Sequence, residues 1–139
     1  MPDFSQEVEQ VRQILAEYPQ FRVITGRKFA FRPPKTIILG QPQSKYALQS
    51  LHELAHGLCG HKTFSTYIER VKMESEAWER AKTLCLKYDI EFDEEFAEEQ
   101  LDTYRDWLHQ KSVCRQCGQV RYQSPDGNYH CPQCETFCK

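Results

Sequence analysis

The stretch HELAHGLCGH at residues 52–61 constrains the fold more than any other part of the sequence. In an α-helix each residue turns about the axis by about 100°, so residues four apart lie one above the other. His52 and His56 have this spacing, and in a helix their imidazoles could hold one metal ion with Glu53 beside them. The alternative is a helix that contains two unrelated histidines. We favour a metal-binding helix because the glutamate occupies the position that the chemistry requires.

Zinc chemistry would use all three of these side chains. Neutral imidazole is a good ligand for Zn²⁺, which in catalytic sites has three protein ligands and a water whose pKa falls to about 7. Glu53 would take a proton from this water as it attacks an amide carbonyl, and would pass it to the leaving amine. The reaction also requires a donor to the developing oxyanion. Tyr67, Tyr46 and His61 are candidates. His61 could be such a donor, or a ligand, only if the neighbouring glycines turn the chain.

The third ligand is expected in the helix that follows. The longer motif HExxHxxGxxH does not continue here, because Cys59 and Lys62 occupy its glycine and histidine positions. Glu74 and Glu76 are both within reach along the chain. On a helical wheel Glu74 shares a stripe with apolar residues, whereas Glu76 lies on the charged side. The stripe consists of Val71, Ala77, Trp78, Ala81, Cys85 and Tyr88.

This pattern makes Glu74 the predicted ligand. A carboxylate on an apolar stripe is costly to bury without a cation or strong donors, and a zinc ion held by two neutral histidines supplies the charge. A buried salt bridge from Glu74 to Arg70 or Arg27 is one alternative. Glu76 is the other, as a ligand in place of Glu74.

The chain as a whole is expected to be an α+β protein. Its composition, 40% hydrophobic and 27% charged, is that of an ordinary globular domain. Helical spacing of apolar residues predicts helices at residues 5–18, 44–58, 65–88 and 93–109. Ser44 is expected to cap the second helix, and residues 21–43 to form two or three short strands of a small sheet. The fourth helix should turn four residues inward, Phe96, Leu101, Tyr104 and Leu108.

The C-terminal segment has no helical period and contains two CxxC pairs. They are separated by 13 residues, and each can wrap a tight turn around one side of a tetrahedral zinc ion. The four predicted ligands are Cys114, Cys117, Cys131 and Cys134. His130 or Cys138 could substitute for one of them, and free or disulfide-linked cysteines are the alternative. A closed site of four cysteines has no open position, so this zinc would be structural.

The two motifs predict two domains. Residues 1–111 are expected to form a minimal zincin-like domain, in which the small sheet and packed helices surround the HExxH helix and a catalytic zinc. Residues 112–139 are expected to form a zinc ribbon, with the SPDGN turn closing its hairpin and a structural zinc supplying much of its folding energy.

The order of motifs resembles a known class of proteins. HELAHGLCGH followed by ESEAW is similar to the ImmA/IrrE-type zinc metallopeptidases, over roughly residues 20–90. The resemblance implies His52, His56 and Glu74 as zinc ligands and Glu53 as the general base and acid. Trp78 stands where that family often has asparagine. The cysteine-rich tail is similar instead to SprT-like proteases, which act on DNA-associated proteins and whose third ligand is a histidine.

The first hypothesis is therefore a gluzincin-like zinc endopeptidase that cleaves a protein, such as a regulator or a nucleic-acid-associated factor. The alternatives are a non-catalytic zinc-binding adaptor and a DNA-associated regulator that uses the ribbon. Glu53 favours catalysis, because a structural site has no use for it.

Charge and hydropathy bear on partners and location. The formal net charge of −2 gives no general attraction to nucleic acid or to anionic membranes. Arg121, Tyr122 and Tyr129 could form a small stacking surface, so nucleic acid and protein both stay open as partners of the ribbon. The first residues are acidic where a signal peptide is basic, and no segment is long and apolar enough to span a bilayer, so we expect a cytoplasmic protein without a membrane partner.

Overall fold

The computed structural model describes residues 3–134 and has the α+β class expected from the sequence. The helices are α1 (Ser5–Ala16), α2 (Tyr46–Leu58), α3 (Tyr67–Tyr88) and α4 (Glu94–Ser112). The strands are β1 (Arg22–Thr25), β2 (Ala30–Arg32), β3 (Thr36–Leu39), β4 (Tyr122–Gln123) and β5 (Tyr129–His130). All four predicted helices are present, and residues 21–43 form three strands, as expected.

The chain divides into two compact units. The first comprises the residues up to Lys62 together with Ser75–Glu94, and the second comprises Thr63–Glu74 and the residues from Glu95 onwards. Helix α3 is continuous through the point of division. The predicted domain boundary between residues 111 and 112 stays a prediction.

The first unit contains a three-stranded sheet in the order β1-β3-β2. The central strand β3 is parallel to β1 and antiparallel to β2. Side chains alternate between the two faces of a strand, and on β3 this alternation buries Ile37 and Leu39. Strands β1 and β2 are therefore the two edges of this sheet, with backbone groups that face away from β3.

Helix α2 is the centre of the first unit. Leu51, Leu54 and Ala55 are fully buried, and the helix packs against α1, β2 and β3. Burial of each such leucine side chain stabilises the fold by roughly 1.5–3 kcal/mol. This packing holds the HExxH helix on several sides, so the polar residues on it are positioned by an apolar core.

The predicted capping of α2 by Ser44 is wrong. The helix begins at Tyr46, and Lys45 occupies the cap position with a left-handed φ of 63° and without a side-chain capping bond. The carboxylate of Glu7 on α1 instead accepts a hydrogen bond from the backbone N–H of Ala47, at 2.8 Å. A long-range carboxylate satisfies a first-turn donor in place of the local serine, because the packing of α1 against α2 brings it there.

The second unit contains most of α4 and the cysteine-rich segment. Of the residues predicted to face inward on α4, Leu101 is buried and the other three are half-buried. Strands β4 and β5 form an antiparallel hairpin closed by the predicted turn, in which the N–H of Gly127 donates to the carbonyl of Ser124. Gly127 has a φ of +90°, which glycine adopts without the strain that a side chain would cause.

Helix α3 is the longest helix, with 22 residues, and charged side chains recur along its exposed face. Among residues 3–134, no helix combines the length and the apolar character that crossing a membrane requires. The buried face of α3 carries Ala77, Ala81 and Cys85, in agreement with the predicted stripe.

Replacement of Leu51 by alanine should show how strongly the core of α2 stabilises the protein. Leu51 is fully buried, so the truncation leaves a cavity and should lower the free energy of unfolding by about 2–5 kcal/mol. The matched control is Leu86→Ala, since Leu86 is 86% exposed and its truncation should change stability by less than about 0.5 kcal/mol. Denaturant unfolding at constant metal concentration measures both. Equal effects of the two substitutions would contradict the described packing.

Candidate metal centres

The two histidines of the HExxH motif converge on one point. His52 and His56 are both 7% exposed, and their Nε2 atoms are 3.2 Å apart. Two nitrogen ligands of a tetrahedral zinc ion, each at 2.0–2.1 Å, are separated by about 3.3 Å. The spacing of the two atoms therefore fits joint coordination of one ion.

Glu74 completes the group. One carboxylate oxygen of Glu74 and one ring nitrogen each of His52 and His56 lie within 4.8 Å of one another. Glu74 is 9% exposed, whereas the side chain of Glu76 is 64% exposed. The burial confirms the helical-wheel prediction of which glutamate faces inward. Two neutral imidazoles and one carboxylate are a donor set that zinc accepts in catalytic sites.

Aromatic rings restrict the orientation of the imidazoles of His52 and His56. The indole of Trp78 stacks on the ring of His52 with centroids 4.0 Å apart and planes at 22°. The ring of Phe31 on β2 lies nearly parallel to that of His56, at 6.2 Å between centroids. Apolar surfaces of this kind exclude water and limit the rotamers of the ligands. Trp78, which the resemblance marked as a departure from asparagine, thus contributes packing to the site.

Tyr104 of α4 holds the carboxylate of Glu74. Burial raises the pKa of Tyr104 to about 12, and the charge of Glu74 together with a hydrogen bond to it adds to the rise. The phenol therefore stays protonated at neutral pH and donates to the carboxylate. Arg70 opposes the rise, and its guanidinium lies 5.3 Å from the centroid of the Tyr104 ring.

The remaining residues predicted for this site lie in different surroundings. Glu53 is 7% exposed on α2, next to His52. Tyr46 is buried at the start of α2 with its ring edge against Phe29, and His61 is 8% exposed. Tyr67 is in the second unit, where its ring packs against Trp107 and Tyr129. The roles of Tyr46, His61 and Tyr67 as oxyanion donors and of Glu53 as the general base stay predictions.

The four ribbon cysteines form a second cluster. Their sulfur atoms all lie within 4.8 Å of one another, with Cys114 and Cys134 at 3.5 Å and Cys117 and Cys131 at 3.4 Å. A disulfide bond would require about 2.05 Å, and all four residues are free cysteines. Two sulfur ligands of a tetrahedral zinc ion are about 3.8 Å apart, so the cluster fits such an ion closely.

Local backbone geometry favours the thiolate form of Cys114. Backbone N–H groups of Cys117 and Gln116 lower the pKa of Cys114 to about 6, which favours the thiolate that binds metals. Gly118, with a φ of +75°, donates its N–H to the carbonyl of Cys114 and closes the turn after the first pair. Nε2 of His130 is 2.9 Å from the hydroxyl oxygen of Ser124. Cys138, the other substitute ligand suggested by the sequence, lies outside the described residues.

The surface of the ribbon carries one cation against an aromatic ring. The guanidinium carbon of Arg121 is 4.6 Å from the centroid of Tyr129, and the rings of Tyr122 and His130 are stacked at 5.1 Å. Tyr122 is 55% exposed and Val120 61% exposed. The side chains predicted as a stacking surface are thus already partly stacked within the ribbon.

Tyr104 and Phe31 are site residues that the sequence did not reveal. The position of Tyr104 on the inner stripe of α4 predicted burial, but no local signal indicated that its hydroxyl would face Glu74. For Phe31, the only signal in the sequence was the alternation typical of a strand.

Comparison of the chain with known protein families, with curated proteins and with solved structures finds no match.

Two independent zinc sites predict a simple stoichiometry. His52→Ala and Cys114→Ser should each lose about one equivalent of zinc, because each removes one ligand from a different site, and the double variant should lose about two. Metal analysis of the purified proteins measures this. If neither single variant loses zinc, both assignments are wrong.

The contact between Tyr104 and Glu74 should contribute to metal affinity. Tyr104→Phe removes the hydroxyl that orients the carboxylate, and we expect zinc to bind about tenfold more weakly. The control is Tyr122→Phe, which removes a hydroxyl from an exposed ring on the hairpin. Competition with a chelator measures the zinc affinity of both variants. Equal affinities of Tyr104→Phe and Tyr122→Phe would contradict the role of Tyr104.

Proposed function

We propose that the protein is a zinc-dependent metallopeptidase of gluzincin type, with His52, His56 and Glu74 as ligands and Glu53 as the general base. The observation that carries the proposal is the convergence of two imidazole nitrogens and one carboxylate within 4.8 Å beside a buried Glu53. A structural zinc site requires ligands but has no need of a carboxylic acid directly next to them.

Glu53 is the group that moves the proton. When zinc is bound, it supplies Lewis acidity that polarises a carbonyl and lowers the pKa of a water. Glu53 accepts a proton from the attacking water and transfers it to the nitrogen of the leaving amine, so the amide bond breaks and the carboxylate is regenerated. The buried surroundings strengthen these electrostatic interactions, because little water screens them.

Strand β2 supports a protein or peptide as the substrate. It is an edge of the sheet, and its Phe31 stacks on the ligand His56. An extended peptide could add to this edge by main-chain hydrogen bonds and would thereby lie along the metal site. Pro33 and Pro34 directly follow the strand and limit the length of such pairing. Selection of a regulator or of a nucleic-acid-associated protein would then depend on the ribbon.

The ribbon contributes a structural zinc in this proposal. Four thiolates fill its coordination positions, so none remains for a water or substrate. The exposed Val120 and Tyr122 offer contact surface to a protein partner of the ribbon. They also support the second candidate function, a non-catalytic zinc-binding adaptor that docks through the ribbon.

Substitution of Glu53 distinguishes the two functions. Glu53→Gln keeps the shape of the side chain but cannot accept the proton, so hydrolysis of an unstructured protein such as denatured casein should fall by about 10²–10⁴-fold while the zinc content stays unchanged. Glu79→Gln, at an exposed position of α3, is the matched control and should remain active. Unchanged cleavage by Glu53→Gln would contradict the proposal.

A further inference from the structure

Helix α2 ends in a Schellman turn that folds the chain back on itself. The N–H of His61 donates to the carbonyl of His56 at 3.1 Å, and the N–H of Gly60 donates to that of Gly57 at 3.0 Å. Gly60 has a φ of +70°, which a residue with a side chain adopts only with strain. The turn brings His61 against His56, although a continued helix would point it elsewhere.

The side chains of His56, His61 and Glu76 then form a chain of three groups. Nδ1 of His61 is 2.9 Å from Nδ1 of His56, and Nε2 of His61 is 3.0 Å from Oε2 of Glu76 on α3. The other nitrogen of His56, Nε2, faces His52. His61 is therefore behind the predicted ligand, on the side of the ring that points away from the metal position.

Only one arrangement of protons is consistent with metal binding by His56. A ligating Nε2 must be unprotonated, so the neutral ring carries its proton on Nδ1 and donates it to His61. Nδ1 of His61 must then be an acceptor, which leaves the proton of this ring on Nε2. That N–H points at the carboxylate of Glu76, which accepts it. Each contact thus has one donor and one acceptor.

We infer that His61 and Glu76 are positioning residues for the zinc ligand His56: the carboxylate sets the tautomer of His61, and His61 sets the tautomer and orientation of His56. The inference rests on the metal site of the proposed function. Outer partners of this type raise the basicity of a ligating imidazole and hold its ring plane, and their loss typically weakens metal binding by about 10–100-fold.

This role differs from that of an oxyanion donor. Both ring nitrogens of His61 have partners within the protein, at 2.9 and 3.0 Å. In the tautomer described above, the single N–H of His61 points to Glu76. No ring proton is left for a substrate oxygen. Glu76, which the helical wheel places on the charged side of α3, thus has a role two groups away from the metal position.

The test measures Co²⁺ binding to the full chain after removal of metal. The thiolate-to-cobalt absorption reports the ribbon, and the difference spectrum between wild type and His52→Ala isolates the histidine site. His61→Ala should weaken binding at the histidine site by at least about tenfold. Glu76→Gln, on the surface, should weaken it by about threefold or more. His61→Asn, whose amide oxygen can accept from His56, should retain most of the affinity.

Combining His61→Ala with Glu76→Gln distinguishes an effect that passes through the contacts of His61 from a general effect of charge. In the His61→Ala background, Glu76→Gln should have no further effect, because its contribution passes through His61. Glu79→Gln removes an equal charge from an exposed position of the same helix and should leave the affinity unchanged. The inference is overturned if His61→Ala binds like the wild type, or if Glu76→Gln weakens binding equally in both backgrounds.

Failure of the inference and failure of the proposed function have different signatures. If the wild type shows no cobalt spectrum that depends on His52, the metal site itself is absent and the proposed function fails. If that spectrum is present but insensitive to His61 and Glu76, only the inference fails. Because Glu76 is exposed, its substitution tests the inference without disturbing the core.

Discussion

The candidate histidine site depends on the burial of polar side chains on an apolar helix. Helix α2 places two imidazoles and Glu53 among leucines and alanines that are withdrawn from water, and α3 presents the carboxylate of Glu74 on a stripe of small and aromatic residues. An ionised carboxylate in such surroundings requires a positive charge or strong donors. Tyr104 supplies one donor, and a divalent cation between the imidazoles and the carboxylate would supply the charge.

The two candidate metal centres are built by different means. The histidine site belongs to helices held by an apolar core, so its geometry is a consequence of packing. The cysteine site belongs to tight turns and a two-stranded hairpin, in which Gly118 and Gly127 adopt positive φ. A segment of this size buries too little apolar surface to be stable alone, so a metal held by its four cysteines would contribute to its folding.

Local sequence patterns predicted the helices and strands. They failed where a distant residue makes the contact that a local residue was expected to make. The periodicity of α3 distinguished Glu74 from Glu76, because the side of a helix on which a residue lies follows from its spacing to the apolar residues of that helix. The capping of α2 was predicted wrongly, because Glu7, 40 positions away, supplies the acceptor that Ser44 was expected to provide. Several helix ends differ from the predicted ones by a few residues, since they depend on tertiary contacts.

The sequence by itself determined the types and spacing of the predicted ligands: two histidines one turn apart, a glutamate on the inner stripe of the next long helix, and two CxxC pairs. These features depend on local geometry, which a helix or a tight turn imposes wherever it lies. Only the tertiary structure decided which side chains support the ligands. Tyr104 reaches Glu74 from another helix, and the Schellman turn sets His61 between His56 and Glu76, because such contacts depend on how separate segments pack.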